Sequence, residues 1–234
     1  MGKASRSKRD RTASDRKAKS SSRRVREYFS SVGVWNDTKL MKTSLRSLNG
    51  EEFLEDWTQR YVDRAQSHLE PPPSIYDLVY RNLDTYLATA TVQYSCHEAI
   101  LKFFAECELP EGEMLDLGCG GGLITCFLAK MRPSVRVVGV DADANAVECA
   151  SALAEKLGVE NCEFICADLE TLALGDGFAV VNSNLVLHEV ERFYEIGEPF
   201  LDGFSTLARA RSAFTSPPSN LAATAARHLA ADGV

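Results

Sequence analysis

Four glycines among the five residues 118–122 constrain the fold of this chain more than any other segment. They follow the apolar stretch EMLDLG, which predicts a buried strand, and precede GLITCFLAKM, which predicts a helix. A strand, a glycine turn and a helix in this order are typical of an open α/β sheet that binds its ligand at the carboxyl ends of the strands. Asp116 lies at that end of the predicted strand.

The segments after the turn repeat the same alternation of strand and helix. VRVVGVD, CEFICAD and GFAVVNSN predict three more strands, and ANAVECASALAEKLG predicts a helix that begins after Asp143 and ends at Gly158. Apolar strands without strict alternation, separated by amphipathic helices, predict a parallel sheet with both faces covered. We therefore expect a doubly wound α/β domain over residues 111–234, with about four strands.

The part of the chain before the first strand, residues 27–110, predicts helices. EEFLEDWTQRYVDRAQSHL has apolar residues at helical spacing, and the three prolines at 71–73 end that helix. IYDLVYRNLDTYLATA predicts the next helix, with Ser74 as its cap. A capping box from Ser95 to Glu98 predicts the start of a third helix, HEAILKFFAECEL.

Residues 1–26 form a basic segment with almost no apolar side chains. They hold eleven Lys and Arg against two Asp, a net charge of +9, and since the chain carries −7 the remainder carries −16. Such a composition predicts a disordered tail. Its role stays open between a solubilising tail, a nuclear-import signal, an organelle transit segment and an arm that contacts RNA.

Several function classes are disfavoured by composition and spacing. No stretch of about 18 apolar residues predicts a spanning helix, and no apolar core near Met1 predicts a secretory signal. The seven cysteines form no CxxC pair, and the four histidines are scattered, so we expect reduced thiols and no metal site. We expect a protein of the cytoplasm, with the nucleus as an alternative, that has no membrane contact.

The glycine turn differs from the usual phosphate-binding loops. Its spacing is GxGxG, with Leu123 where a dinucleotide fingerprint has its third glycine, and it lacks the Lys and Ser/Thr of a P-loop. The carboxylate of Asp116 would repel a pyrophosphate but attract an ammonium or sulfonium group. The turn therefore favours an adenosine compound with a positively charged amino acid end.

The stretch MLDLGCGGGLIT resembles motif I of the class I S-adenosylmethionine-dependent methyltransferases, and the resemblance extends over residues 95–190. VVGVDADANAV is similar to the family's second strand, whose terminal acid, here Asp141, holds both ribose hydroxyls. CEFICADLE resembles the third strand, whose acid, here Asp168, lies near the adenine amino group. AVVNSNLVLHEV looks like the fourth-strand motif. The resemblance implies a Rossmann-like sheet in the order 3-2-1-4-5-7-6 and S-adenosyl-L-methionine as cofactor.

The resemblance also implies a set of site residues. The cofactor-binding set is Asp116, Gly118, Cys119, Gly120, Gly122, Asp141, Ala142, Asp168, Leu169 and Asn184. His188 is the candidate general base, with a structural cap or a solvent contact as its alternative role. Cys119 has small-residue packing as its alternative. No metal is expected.

The acceptor side is less defined by the sequence. Residues 182–185 read NSNL, whereas the amine-methylating members of the family carry an Asn/Asp-Pro-Pro-aromatic turn there. This departure favours a small molecule, lipid or protein side chain over a nucleobase amine. Helices before the first strand commonly form a substrate lid in this family, so we expect tyrosines of this region to line the site: Tyr76, Tyr80, Tyr86 and Tyr94. Nucleic acid is not favoured as a partner, and it would bind only through the basic tail.

Two other function classes and one question of completeness stay open. The alternatives are a dinucleotide-dependent enzyme on a related sheet and a non-catalytic binding protein whose working part is the basic tail. LAADGV at 229–234 resembles the turn that precedes the family's fifth strand. We therefore expect a C-terminally incomplete methyltransferase domain, whose catalysis alone is doubtful.

Overall fold

A computed structural model describes residues 3–66, 74–168 and 177–184. For residues 3–16 and 64–66 it describes the backbone only. Within these residues four parallel strands form one sheet in the order β3-β2-β1-β4. The strands are β1 Met114–Leu117, β2 Val137–Asp141, β3 Cys162–Cys166 and β4 Val180–Ser183. The predicted doubly wound α/β fold is confirmed, and the strand order follows the first four strands of the order that the resemblance implies.

The register of the sheet brings the carboxyl ends of the strands to one edge. β1 pairs with β2 on one side and β4 on the other, and Asp116 lies level with Gly139 and Asn182. All four residues of β1 are buried, as expected of a central strand in a covered parallel sheet. Polar residues near the ends of β1, β2 and β4 are therefore neighbours in space.

Two helices connect the first three strands, α7 Leu123–Met131 and α8 Ala144–Leu157. The Asp143 side chain accepts from the backbone N–H groups of Asn145 and Ala146 at the start of α8. Gly158 ends the helix in the left-handed conformation, with φ +62°. Both predicted ends of this helix are confirmed.

The region before β1 is helical. Its elements are α1 Lys3–Val32, α2 Thr38–Asn49, α3 Glu51–Gln66, α4 Tyr76–Val79, α5 Leu83–Ala90, a 3-10 turn Thr91–Gln93 and α6 Tyr94–Glu106. The single helix predicted over residues 75–90 is wrong, because the chain breaks between α4 and α5 and the Asn82 side chain caps α5. The capping box predicted at Ser95 is wrong too, since α6 begins at Tyr94 without a side-chain cap.

Helix α1 runs through the boundary that the sequence placed at residue 26. Val25 and Phe29 are buried in the core shared with α6 and α7. The hydroxyl of Tyr28 donates to the backbone carbonyl of Leu123 at 2.6 Å. The second half of α1 is thus a packed helix, because its apolar residues begin at Val25 rather than after the basic segment.

The described residues lack two further features. They contain no helix that is long and apolar enough to cross a membrane. They contain no cluster of three or more His, Cys, Asp or Glu that could hold a metal ion.

Candidate active site

The glycine turn joins β1 to α7 in a conformation that side chains disfavour. Gly118, Gly120 and Gly122 have φ values of +68°, +52° and +79°. The N–H groups of Gly118 and Cys119 donate to the Val140 carbonyl at 2.8 and 2.9 Å, which ties the turn to β2. Helix α7 starts directly after Gly122 without a side-chain cap. The turn therefore presents backbone and a helix N-terminus, a combination suited to a carboxylate or phosphate.

Asp141, at the end of β2, holds this turn in place. Its Oδ2 atom accepts from the N–H of Gly120 at 2.8 Å, and its Oδ1 atom accepts from the N–H of Asp143 at 3.0 Å. Burial raises the pKa of this carboxyl, and these backbone hydrogen bonds oppose the rise. Each carboxylate oxygen has a second lone pair, so Asp141 can still accept from a vicinal diol. Its role toward ribose stays a prediction.

The Asp116 carboxylate is buried, whereas the sequence predicted that it contacts the ligand. The residue is 2% exposed. Its Oδ2 atom accepts from the Thr125 hydroxyl at 2.5 Å, and its Oδ1 atom accepts from the Asn182 amide at 2.6 Å. Burial raises its pKa to about 6, against the lowering effect of these two hydrogen bonds. In this structure Asp116 joins β1 to α7 and β4, and it is absent from the described walls of the cavity beside the turn.

The amide of Asn184 extends this network toward the cavity. Its Nδ2 atom donates to the Oδ1 atom of Asn182, whose own Nδ2 atom donates to Asp116. Asn184 borders the cavity, whereas Asn182 is buried. The predicted site residue Asn184 is therefore beside the glycine turn, linked through Asn182 to Asp116.

A cavity of about 180 Å³ lies between the N-terminal helices and the glycine turn. Tyr80 and Tyr86 line it on the side of the N-terminal helices, and we call these two side chains, with Tyr76, the aromatic roof. A Cβ atom on Gly120 would lie 2.7 Å from the Tyr80 hydroxyl, and one on Gly121 would lie 2.4 Å from the Tyr86 ring. The two rings are 5.6 Å apart, and Tyr76 stacks on Tyr80 at 5.7 Å.

The other predicted residues fall into three groups. Tyr76, Tyr80, Tyr86, Gly118, Cys119 and Gly120 line the cavity. Ala142 and Asp168 are exposed at the ends of β2 and β3, and Tyr94 packs against Phe29 at 4.6 Å. Leu169 and His188 lie outside the described residues.

Two residues that the sequence did not single out also line the cavity, His97 on α6 and Trp57 on α3. Their relative exposures are 8% and 4%. Burial lowers the pKa of His97 to about 4, while a hydrogen bond with the Ala90 backbone opposes the shift. His97 shares a buried helix face with Leu101 and Phe104, so its spacing alone resembles that of a core residue.

A family model described as a methyltransferase domain matches residues 109–225. The chain belongs to this methyltransferase family. The resemblance to class I S-adenosylmethionine-dependent methyltransferases is confirmed, and with it S-adenosyl-L-methionine as the cofactor. The family assignment disfavours the alternative of a dinucleotide-dependent enzyme.

Three comparisons show how far the likeness extends. A release factor glutamine methyltransferase of Vibrio cholerae is 32% identical over 53% of this chain and 44% of its own length. A malonyl-[acyl-carrier protein] O-methyltransferase of Acetivibrio thermocellus is 30% identical over 44% of this chain and 36% of its own. The chain thus spans less than half the length of these curated relatives. The solved N-terminal domain of EvdMO1 with SAH bound is 26% identical over 43% of this chain and 41% of that one, with a TM-score of 0.35.

The residues at the turn fit the family's cofactor. The backbone of Gly118 and Gly120 borders a cavity, so a ligand can approach it without meeting a side chain of the turn. Asp141 offers acceptors for hydroxyl groups, and the start of α7 offers N–H groups for a carboxylate. These are the residues that would hold S-adenosyl-L-methionine.

Proposed function

We propose that this chain transfers a methyl group from S-adenosyl-L-methionine to a small, uncharged organic molecule bound under the N-terminal helices. The observation that carries this proposal is the contact of Tyr80 and Tyr86 with the glycine turn. These side chains belong to the loop after α4 and to α5, so the helical region covers the turn directly. An acceptor must therefore fit beneath this roof.

The size of the cavity supports a small acceptor. Its volume of about 180 Å³ is below the range of about 300–1,000 Å³ for pockets that hold drug-sized ligands. The cofactor would share this space beside Gly118 and Gly120, so side chains must move when both ligands bind, and the room left for the acceptor is small. A nucleotide within a nucleic acid, or a folded protein segment, would have to displace α4 and α5. A small molecule needs only local movement of side chains such as Tyr80.

The end of β4 supports an acceptor other than an exocyclic amine. Asn182 occupies the position at which the amine-methylating turn would begin, but its amide is bound to Asp116 and Asn184. Asn182 is 5% exposed and is absent from the described walls of the cavity, so the remaining lone pair of its amide oxygen does not face an acceptor NH₂ group. Although one relative's name records a glutamine acceptor, another records an O-methyltransferase, so likeness over the cofactor half does not determine the acceptor.

The chain's own contribution would be alignment and exclusion of water. The cofactor, when bound, supplies an activated methyl group. The protein has to hold the acceptor in line with it, and such alignment can contribute about 7–11 kcal/mol to the lowering of the barrier. The aromatic side chains over the turn, half-buried Tyr76 and Tyr80 and buried Tyr86, are suited to both tasks.

The test uses the full 234-residue chain. Calorimetry first measures the binding of S-adenosyl-L-methionine. The protein is then incubated with methyl-labelled cofactor and three fractions of a cell extract: small molecules, proteins and RNA. We expect label in the small-molecule fraction, and much less label there with Asp141→Ala at the same cofactor concentration. Label found only in protein or RNA would contradict the proposal, and absence of cofactor binding would exclude activity by this chain alone.

A further inference from the structure

We propose that His97 is the general base of the transfer and that His97 and Trp57 together select a hydroxyl group as the methyl acceptor. The substrate class is a small uncharged phenol or alcohol. This inference rests on the proposed function, because it assigns the acceptor side of the same cavity. His97 lies on α6 and Trp57 on α3, so the N-terminal helical region would supply both groups.

Two side chains that line this cavity each have a buried hydrogen-bonding atom without a partner. Three buried side-chain atoms of the described residues make no hydrogen bond: Nδ1 of His97, Nε1 of Trp57 and Oγ of Ser183. A buried hydrogen-bonding atom that is left unsatisfied lowers the stability of the fold. Only His97 and Trp57 among these residues line the cavity. A ligand that satisfies both atoms would recover that cost on binding.

The two atoms have opposite hydrogen-bonding character. An indole N–H can only donate. A neutral imidazole has one N–H and one acceptor nitrogen, and we assign the acceptor to Nδ1, the ring nitrogen without a hydrogen-bond partner. Burial lowers the pKa of His97 to about 4, which keeps the ring neutral near pH 7. The cavity therefore offers one donor and one proton acceptor.

A hydroxyl matches this pair and leaves the nucleophile intact. Its hydrogen donates to Nδ1 of His97, and one oxygen lone pair accepts from Nε1 of Trp57. The second lone pair is free to attack the methyl carbon. A neutral amine has a single lone pair, so it cannot accept from Trp57 and attack at the same time. A carboxylate has no proton to give to His97.

The transfer balances with His97 as the proton acceptor. The hydroxyl oxygen forms a bond to the methyl carbon while the carbon–sulfur bond breaks and leaves its electron pair on sulfur. The hydroxyl proton passes to Nδ1 of His97. The positive charge thus moves from the sulfonium to the imidazolium, which returns its proton to solvent before the next turnover.

The remaining walls favour an uncharged, ring-shaped molecule. Ile75, Val79 and Val92 supply apolar surface, and Tyr76 supplies a flat face. No Lys, Arg, Asp or Glu lines the cavity within the described part of the chain. An anionic or cationic acceptor would therefore lose its hydration without gaining a partner of opposite charge.

Binding of p-cresol tests the hydroxyl site without turnover. Trp35→Phe leaves Trp57 as the only tryptophan of the chain's two, so its fluorescence reports on the cavity. We expect p-cresol to bind about tenfold more tightly than 4-methylanisole, which has no hydroxyl proton to donate. His97→Phe should abolish this difference. Equal affinities in the Trp35→Phe protein would overturn the site.

Methyl transfer tests the base. The full chain should label p-cresol but not p-toluidine, its amine counterpart. His97→Gln should lower the rate at least about 100-fold with unchanged affinity for S-adenosyl-L-methionine, whereas Lys102→Gln, a change at a half-buried position on the same helix that does not line the cavity, should have no effect. Retained activity in His97→Gln, or equal labelling of the two acceptors, would overturn the assignment.

If the His97→Gln protein does not fold, NMR of the unsubstituted chain tests the same site. In the unsubstituted chain, the ¹⁵N resonance of Nδ1 of His97 should shift on addition of p-cresol and stay unchanged with 4-methylanisole. The absence of that shift would overturn the hydroxyl site. A chain that binds p-cresol through His97 but methylates no small molecule would refute the base and the proposed function, and leave the hydroxyl site standing.

Discussion

The hydroxyl oxygen of Tyr80 lies 2.7 Å from the position that a Cβ atom on Gly120 would take. Tyr80 follows α4, and Gly120 is in the turn after β1. Burial raises the pKa of Tyr80 well above its ordinary value, and the nearby Tyr86 and Asp141 raise it further, so the hydroxyl stays protonated. This contact couples the helical region to the cofactor turn, and a change on either side should be felt on the other.

Gly120→Ala should weaken cofactor binding, and Gly158→Ala is the matched control. Both glycines have positive φ, +52° and +62°, so each substitution incurs about 1–3 kcal/mol of backbone strain. Only Gly120 also faces a close neighbour, since nothing lies within 4 Å at Gly158. We expect calorimetry to show at least about a tenfold loss of affinity for Gly120→Ala and no change for Gly158→Ala.

Tyr80→Phe provides the second arm of this test. Combined with Gly120→Ala it removes the hydroxyl, and the next ring atom is 3.6 Å from the Cβ position. The double variant should regain part of the lost affinity and unfolding free energy, because strain remains while the overlap is relieved. Additive effects of the two substitutions would show that the contact does not couple the two regions.

Asp141→Ala should lower cofactor affinity more than it lowers stability. It removes the acceptor that holds the N–H of Gly120 and would remove the acceptors for ribose. A hydrogen bond to a charged group is worth about 1.5–3 kcal/mol, so we expect a loss of about 10–100-fold. Asp143→Ala is the control: it deletes the cap of α8 and costs about 1 kcal/mol of stability, with affinity unchanged. Equal affinity in wild type and Asp141→Ala would contradict the assignment of Asp141.

Local patterns predicted the elements of this fold but not the polar contacts between them. The apolar strands, the glycine turn and the ends of α8 are each encoded within a few neighbouring residues. The partners of Asp116 are not, because Asn182 is distant along the chain and meets it only through the pairing of β1 with β4. The sequence therefore placed Asp116 against the ligand, whereas the structure buries it beneath the turn.

The same limit explains why the histidine of the cavity was missed. His97 lies at helical spacing from buried apolar residues, a pattern that predicts packing and carries no sign of a ligand. Only the tertiary structure shows its Nδ1 atom without a partner beside the glycine turn. The break before α5 had a local signal in Asn82, but helical periodicity on both sides concealed it.

His97 should make the protein less stable as the pH falls from 6.5 to about 4. In this window the unfolded chain binds a proton on His97 that the folded chain excludes. The contribution of His97 to stability is therefore fully present above pH 6.5 and is lost as the pH falls through the pKa of His97 in the folded chain. The full effect is about 3 kcal/mol. Urea unfolding at several pH values should show that His97→Phe lacks this loss. An unchanged pH slope in the variant would contradict a buried, neutral His97.

Asp116 should act in the opposite direction between pH 3.8 and about 6. Its folded pKa is raised, so the folded chain holds the proton more tightly, and the stabilisation present below pH 3.8 is lost as pH rises through the folded value. Asp116→Asn should remove this contribution, about 3 kcal/mol at most, and leave the His97 slope visible. Matching pH profiles for wild type and Asp116→Asn would show that the carboxyl titrates normally.

Deletion of residues 1–26 should destabilise the protein, whereas deletion of residues 1–16 should not. The longer deletion removes Val25, whose side chain is fully buried at 0% exposure, and it cuts α1 shortly before Tyr28. Burial of a valine side chain is worth about 1.5–3 kcal/mol, and the Tyr28 hydroxyl supports the start of α7 at Leu123. Val25→Ala in the full chain is the matched control and should produce a smaller loss of the same sign. Thermal unfolding of the full chain and these three variants measures this, and equal stability of the residue 27–234 protein and the full chain would restore the boundary at residue 26.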